Sequence, residues 1–185
     1  DTLKLVKDGA FANCDSLEEI RIPKNVIILS ESVFEGCGGL KEVEFEHKIE
    51  KVNSRAFADC VLLNSFPVQN VKKIGDFAFM NCNELSGVVF SDDIQEVGTA
   101  AFYGCAIESI TFPKTVSKIK ESSFENCKKL FQIGIKNENI TIESRAFKGC
   151  ARLDYVNGIS HNSNVFSDAF SGCPTEKDVK EITNK

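Results

Sequence analysis

The sequence is short of several residue types on which common folds and functions depend. Among its 185 residues it has no tryptophan, one methionine, two tyrosines, two histidines and four prolines. So few prolines, together with 12 glycines, exclude collagen-like and linker compositions. Because 42% of the residues are hydrophobic, the chain is not typical of a disordered tail. We therefore expect one globular unit or one array of repeats.

An excess of positive charge and long apolar runs are also missing. The net charge is −5 at pH 7 and the sequence pI is near 5.2, so we expect no nucleic-acid partner. The longest apolar runs have four residues, such as Val26 to Leu29, so no transmembrane segment is predicted. The chain begins without methionine and without a signal-peptide pattern, which predicts a mature or trimmed piece of a protein.

The cysteines recur at one fixed spacing, with intervals of 22 or 23 residues. They are Cys14, Cys37, Cys60, Cys82, Cys105, Cys127, Cys150 and Cys173. A phenylalanine precedes each of them by three positions: Phe11, Phe34, Phe57, Phe79, Phe102, Phe124, Phe147 and Phe170. A disulfide framework seldom keeps a single period over a whole chain, whereas stacked repeats do. The two columns therefore predict a repeat protein.

Further columns predict the elements of each repeat. An aliphatic residue always lies eight positions before the cysteine, and a small residue usually lies four before it. After the cysteine the pattern is Leu-x-x-Ile-x-Ile, as at Leu130, Ile133 and Ile135, which alternates at its end like a strand with one buried face. Such short strands must pair in parallel, about 4.8 Å apart. The Cys105 repeat has this motif one residue early, from Ile107, so one residue is missing from the link after the cysteine.

The segment before each cysteine predicts the crossover between strands. Six of the eight residues six positions before cysteine are good helix N-caps, such as Asp8 and Ser54. Only glycine, asparagine and aspartate occur one position before cysteine, and these residues tolerate a positive φ. We expect a short helical turn that ends in a left-handed residue, with phenylalanine and cysteine turned into one continuous core.

The combined pattern, Ile-x-x-x-Ala-Phe-x-x-Cys-x-x-Leu-x-x-Ile-x-Ile-Pro, resembles the BspA-like (Treponema pallidum-type) leucine-rich repeats over about residues 3 to 173. The resemblance implies an α/β fold: a right-handed leucine-rich-repeat solenoid with a parallel concave β-sheet and short helical turns on the convex side. It also implies a cell-surface or secreted protein, in several cases an adhesin. The family has no shared catalytic residues, so none is assigned and no enzyme activity is expected.

The pattern also divides the chain. We predict a solenoid of about eight repeats over residues 1–174 and a C-terminal capping helix or tail over residues 175–185. The tail resembles a short capped helix with Val179 and Ile182 on one side. A polar cap of this kind would close the last core face of an array.

Candidate chemistry is sparse. Neighbouring cysteines could approach closely enough for disulfides, but a single apolar column favours reduced, buried thiols. There is no Cys-x-x-Cys pair and no cysteine–histidine spacing typical of zinc, so no metal or cofactor is expected. His47 and His161 lie in links between repeats and are interpreted as exposed loop residues.

The exposed residues of the strands are the functional candidates. They alternate with the buried positions and should face the concave side. The candidate interaction surface comprises Glu19, Arg21, Glu42, Glu44, Glu46, Gln69, Thr111, Gln132, Lys136, Tyr155 and Asn157. The glutamates form an acidic patch beside Arg21, and Tyr155 could anchor a partner.

We therefore predict a non-enzymatic surface or secreted module, a monomer, that binds a host or cell-surface macromolecule, protein or glycan, through the solenoid face. The alternatives are a structural spacer within a larger multidomain cell-surface protein and a fragment of an enzyme whose catalytic domain lies outside this sequence. A featureless polar face favours the spacer, and a cluster of exposed aromatic or charged side chains favours binding.

Overall fold

A computed structural model describes residues 3–183, with the side chain of Gln69 also outside the description. The longer strands are β1 (Glu19–Ile22), β3 (Glu42–Phe45), β7 (Ser109–Phe112), β9 (Gln132–Ile135) and β11 (Tyr155–Asn157). The two-residue strands are β2 (Ile28–Leu29), β4 (Lys51–Val52), β5 (Lys73–Ile74), β6 (Glu96–Val97), β8 (Lys118–Ile119), β10 (Thr141–Ile142) and β12 (Asn164–Val165). A 3-10 helix covers Val68–Asn70, and one α-helix, α1, covers Glu176–Thr183.

All strand pairs are parallel, which confirms a parallel-sheet solenoid. The longer strands pair as β1 with β3, and as β7, β9 and β11 in that order. The short strands form a second line that the sequence analysis missed: β2, β4, β5 and β6 pair in order, followed by β8, β10 and β12. This second line contains the aliphatic column that lies eight residues before each cysteine, so that column belongs to a strand of its own.

The phenylalanine column is a continuous stack of rings. Consecutive ring centroids lie 5.1 to 5.6 Å apart from Phe11 to Phe170, with interplanar angles of 21° or less. Phe66 adds edge contacts to this stack, with its ring 4.9 Å from that of Phe79. Offset-stacked rings at these distances add to the energy of burial, so the stack is the central element of the core.

The cysteine column runs beside the ring stack and forms a ladder of hydrogen bonds. From Cys37 to Cys173, each thiol donates to the carbonyl of the phenylalanine one repeat earlier, at Sγ–O distances of 2.9 to 3.1 Å. These seven cysteines are buried and all are free thiols. Burial raises the pKa of the Cys127 thiol to about 12 and raises the pKa of Cys105 well above its ordinary value. Cys14, in contrast to the expectation of a buried column, is exposed, because no other coil within residues 3–183 packs on its N-terminal side.

The predicted helical turns are not confirmed, since the six residues before each cysteine form consecutive tight turns. The left-handed residue before each cysteine is present as predicted, for example Asn81 with φ of 60° and Gly104 with φ of 73°. In seven of the eight coils a second left-handed residue lies four positions earlier, for example Arg55 and Phe77, and it interrupts any helix. Residues other than glycine pay a conformational penalty in this region. Hydrogen bonds between repeats offset that penalty: the Phe77 amide donates to the Thr99 carbonyl at 2.8 Å.

The predicted N-cap residues act between repeats instead of within one. Asp8 accepts from the amide of Glu31 at 3.1 Å, and Asp76 accepts from the amide of Thr99 at 2.8 Å. In both cases the donor is the equivalent residue one repeat later. The side chains therefore join successive coils, which a helix cap would not do.

Helix α1 lies against the C-terminal end of the stack. Val179 of this helix is buried, whereas Ile182 is largely exposed. The Gly172 amide donates to the Glu176 carboxylate at 3.0 Å, and Phe170 is only 3% exposed. These contacts agree with a capping role for this helix. The division of the chain at residues 174 and 175, and its final two residues, remain predictions.

Candidate interaction surface

Alternate residues of the longer strands point into solvent and form what we call the strand face. Their partners, such as Val43, Ile110 and Ile133, point into the core. The parallel register places equivalent exposed residues of neighbouring strands side by side. The candidate residues of the strand face that are exposed within strands are Glu19, Arg21, Glu42, Glu44, Thr111, Gln132, Tyr155 and Asn157.

The first part of this surface is the acidic patch: Glu19, Arg21, Glu42, Glu44 and Glu46. Strands β1 and β3 place Glu19 beside Glu42 and Arg21 beside Glu44. The Arg21 Nε lies 3.8 Å from a Glu44 oxygen and 3.4 Å from a Glu46 oxygen. Exposed ion pairs of this kind contribute at most about 1 kcal/mol. The structure thus brings together all five residues that the sequence predicted as a patch.

Two of these carboxylates lie next to each other without a cation. Within residues 3–183, Glu19 and Glu42 take part in no ion pair, although they are register partners on adjacent strands. Like charges in directly opposite positions destabilise a sheet. Their proximity therefore does not contribute to the stability of the fold.

The middle of the strand face is not a regular sheet. There the pairing is reduced to one bridge, between Ser65 and Gly87. Pro67 has no amide donor and so cannot continue the ladder. The chain enters the 3-10 helix directly after it, and that helix contains Gln69. Gln69 was expected on the strand face, but its backbone lies outside the strands and its side chain is not described.

The second part of the surface, which we call the C-terminal patch, comprises Thr111, Gln132, Lys136, Tyr155 and Asn157. Register places Ser109, Gln132 and Tyr155 in one row, and Thr111, Gly134 and Asn157 in the next. The Tyr155 ring is 53% exposed and is free to contact a partner.

Sequence analysis missed one residue at the edge of the C-terminal patch. Asp92 lies 3.5 Å from Lys136, although 44 positions separate them in the chain. The two residues line a cleft of about 290 Å³ together with Val89, which is 67% exposed. A pair formed across two coils has no local signal, so only its repeat register could have suggested it.

Within residues 3–183, the side chains that could ligate a metal ion are dispersed. His47 and His161 are exposed. Over residues 3–183, no three histidine, cysteine, aspartate or glutamate side chains converge to hold a metal ion. In the same range no helix has the length and apolar character needed to cross a membrane.

Short parallel strands that recur from coil to coil around stacked columns of aliphatic and aromatic residues define a leucine-rich-repeat solenoid. The chain belongs to the BspA-type leucine-rich repeat family. It matches the family described as "BspA type Leucine rich repeat region" in six copies, over residues 4–69 and 64–177. Leucine-rich repeats of this kind are interaction scaffolds and are typically non-enzymatic. No curated protein matches the sequence.

Solved structures agree with this assignment. The chain is 30% identical to the leucine-rich repeat protein of Treponema pallidum, over 80% of this chain and 70% of that one, with a TM-score of 0.74. A Bacteroides ovatus leucine-rich repeat protein superimposes over 90% of this chain and 48% of its own, with 22% identity and a TM-score of 0.75. A leucine rich cell surface protein of Faecalibacterium prausnitzii is 22% identical over the whole chain and 67% of that one, with a TM-score of 0.57. The chain therefore spans about half of the Bacteroides protein.

Proposed function

We propose that this chain is a non-enzymatic binding module of a cell-surface or secreted protein and that it adheres to a host or cell-surface macromolecule. The acidic patch of the strand face is the binding site, and the partner is a protein with a basic segment. Similarity to a cell surface protein of Faecalibacterium prausnitzii supports the location.

The observation that carries the proposal is the adjacency of Glu19 and Glu42. Stability alone does not favour two like charges in register, and stability is commonly sacrificed where a residue serves binding. A lysine or arginine of a partner, placed between the two carboxylates, would remove the repulsion. The neighbouring Arg21 is already engaged by Glu44 and Glu46, so it does not fill this place.

Rigidity of the solenoid supports the same function. Core residues directly beneath the patch, such as Val43 and Leu40, are at most 6% exposed. The strand positions above them are therefore fixed by packing, and a partner does not have to order them. Affinity would arise from many modest contacts over a broad face, which includes a cleft of about 260 Å³ lined by Glu19, Glu42 and Glu44.

The test uses the double variant Glu19→Gln/Glu42→Gln. The purified chain and the variant would be screened by surface plasmon resonance against extracellular matrix proteins and glycan arrays. We expect a protein ligand whose affinity falls at least about tenfold in the variant and weakens with added salt. The midpoint of thermal unfolding of the variant should be equal to or higher than that of the parent.

The matched control is Glu138→Gln/Glu181→Gln, which removes the same charge from two exposed glutamates away from the strand face. It should leave binding unchanged. Equal losses in both variants would contradict a role for the acidic patch. No binding to any ligand would instead favour a spacer, the function predicted for a face without a partner.

A further inference from the structure

The loops that directly follow the cysteines form one edge of the solenoid, outside the strand face. At the coil of Cys105 this edge is interrupted by a cleft, which we call the notch. In the neighbouring coils a four-residue turn follows the cysteine, and its closing hydrogen bond runs from the leucine amide to the cysteine carbonyl. Leu85 donates to Cys82 in this way, and Leu130 donates to Cys127, both at 3.0 Å. The Cys105 coil lacks one residue, and its chain runs from Cys105 to Ser109 without a turn.

The missing turn leaves a gap between two projecting loop tips. The tips on either side are Asn83–Glu84 and Lys128–Lys129, which are exposed. At the same place in the Cys105 coil lies Ala106, which is only 4% exposed and forms the floor of the gap. The flanking tips are two coils apart, or about 10 Å at the usual strand spacing. The resulting cleft has a volume of about 440 Å³.

The lining of the notch is rich in hydrogen-bond donors. The Asn126 side-chain amide donates to the Tyr103 hydroxyl at 2.8 Å, so the hydroxyl proton of Tyr103 is left for another acceptor. Lys128 and Lys129 contribute two ammonium groups, and neither forms an ion pair within residues 3–183. The described residues that line the notch include no carboxylate, and the nearest one on the flanking tips is that of Glu84, next to Asn83.

The remaining groups favour a sugar. Asn83 presents a side-chain amide that can donate and accept, which suits hydroxyl groups that do the same. The ring of Tyr103 offers an apolar surface beside these polar groups. A concave site with a few convergent polar groups is the usual form of a small-ligand site. Because two lysines converge on it, the ligand must also carry negative charge.

We propose that this notch is a binding site for a saccharide that carries a carboxylate. The ammonium groups of Lys128 and Lys129 bind the carboxylate, and the amide of Asn83 and the hydroxyl of Tyr103 bind the sugar hydroxyls. The site is separate from the acidic patch, so it does not depend on the proposed function of the strand face.

The experiment is a titration of the isotope-labelled chain, followed by NMR, with a trisaccharide that ends in N-acetylneuraminic acid. Lactose serves as the neutral counterpart, and a short glutamate-containing peptide serves as a non-sugar carboxylate. We expect the amide signals of residues that line the notch, such as Tyr103, Ala106 and Lys129, to shift with the acidic trisaccharide. The other two probes should not shift them. Similar affinity for lactose or for the peptide would overturn the proposal.

Two variants locate the site. Lys128→Ala/Lys129→Ala should weaken binding at least about fivefold, since it removes both ammonium groups that contact the carboxylate. Insertion of one glycine between Ala106 and Ile107 restores the length of the turn and should abolish binding by filling the notch. The circular dichroism spectrum of each variant confirms that it is folded.

The matched control is Lys114→Ala/Lys177→Ala, which removes two exposed lysines elsewhere. It should bind the acidic trisaccharide like the parent chain. If this control weakens binding as much as Lys128→Ala/Lys129→Ala does, attraction by the overall charge explains the binding and the notch is not the site. If neither variant changes binding, the proposal is also wrong.

Discussion

The two ends of the solenoid differ in how their core is covered. At the C-terminal end, Phe170 and Val179 are each 3% exposed because helix α1 packs over the last coil. At the N-terminal end of the described residues, Leu5 is 62% exposed and Cys14 is exposed. An inner coil is covered on both sides by its neighbours, whereas a coil at the end of the array is covered by a neighbour on one side only. A coil of this pattern therefore buries its core residues only where another coil or a helix packs against it.

The direction of the hydrogen bonds makes the two ends chemically different. In the tight turns, amides of one coil donate to carbonyls of the following coil, as Phe34 does to Ala56 at 2.9 Å. The last coil therefore has amides without a following carbonyl, and the Glu176 carboxylate accepts from one of them, Gly172. In the first coil the corresponding groups, which would pair with a coil on the other side, are carbonyls. Unpaired carbonyls are tolerated better than unpaired amides. A helix that begins with an acidic residue is thus suited to the C-terminal end.

The largest expected difference between the ends is in thiol reactivity. In the native chain, Cys14 should react with a thiol reagent at least about 1,000-fold faster than any other cysteine, because a buried thiol reacts only after local opening. Mass spectrometry of the labelled native chain would show one fast adduct. After denaturation without a reductant, close to eight thiols should react. Several fast adducts in the native chain would contradict the buried column.

The next largest difference between the ends should be the loss of stability when a terminal phenylalanine is replaced by alanine. Phe170→Ala, like Phe79→Ala in the middle of the stack, should lower the free energy of unfolding by about 3–5 kcal/mol through loss of a buried ring. Phe11→Ala should lower it by only about 1–2 kcal/mol, because Phe11 is half-buried and has one stacked neighbour. Urea unfolding of the three variants measures this difference. Equal values for Phe11 and Phe170 would mean that α1 does not cover the stack.

High pH should reveal how burial of the Cys127 thiol contributes to stability. The folded pKa of Cys127 is raised to about 12, so this thiol stabilises the fold fully below the ordinary cysteine pKa and progressively less as pH rises toward 12. For Cys127 the loss should be about 1.4 kcal/mol per pH unit above pH ~9. Cys127→Ala should reduce the slope of stability against pH, and an unchanged slope would contradict a buried thiol at this position. Urea midpoints between pH 8 and 11 provide the measurement.

The smallest expected effect concerns Glu176, the hydrogen-bond acceptor at the C-terminal end that helix α1 covers. Glu176→Ala removes the acceptor of the Gly172 amide and the ion pair to Lys180. The thermal midpoint should fall slightly, by more than in the control Glu181→Ala, which changes an exposed glutamate of the same helix.

The stabilisation by Glu176 should also depend on pH. The hydrogen bond from Lys180 lowers the pKa of Glu176, so its contribution is present above the ordinary glutamate pKa and is lost as pH falls through the lowered value. Identical midpoints would show that α1 caps by packing alone.

Several features of the fold could be predicted because they recur in every repeat. The phenylalanine and cysteine columns predicted a single stacked core, and the ring stack confirms it. The restriction to glycine, asparagine and aspartate before each cysteine predicted the left-handed residue there, as at Gly104. The second left-handed position, occupied by residues such as Arg55 and Phe77, has no such restriction. It was therefore missed, and a helix was predicted in place of tight turns.

The candidate site could be predicted only where it follows the strand pattern. Glu19, Glu42 and Glu44 were placed together because register in parallel strands follows from the repeat. Gln69 was misplaced because Pro67 ends the ladder in that coil, which is a local exception to the pattern. The contact of Lys136 with Asp92 crosses two coils, and the notch at Ala106 depends on the loops of both neighbouring coils.

By itself the sequence determined the period of the chain, its buried columns and the family to which it belongs, because each coil must bury the same residues against the next. Only the tertiary structure decided which backbone amides pair between coils, and thereby that the crossovers are tight turns. It also decided that helix α1 packs on the last coil and that the residue missing after Cys105 opens a cleft. These features depend on distances between coils that lie 22 to 44 residues apart in the chain. A pattern repeated within each coil carries no information about such local exceptions.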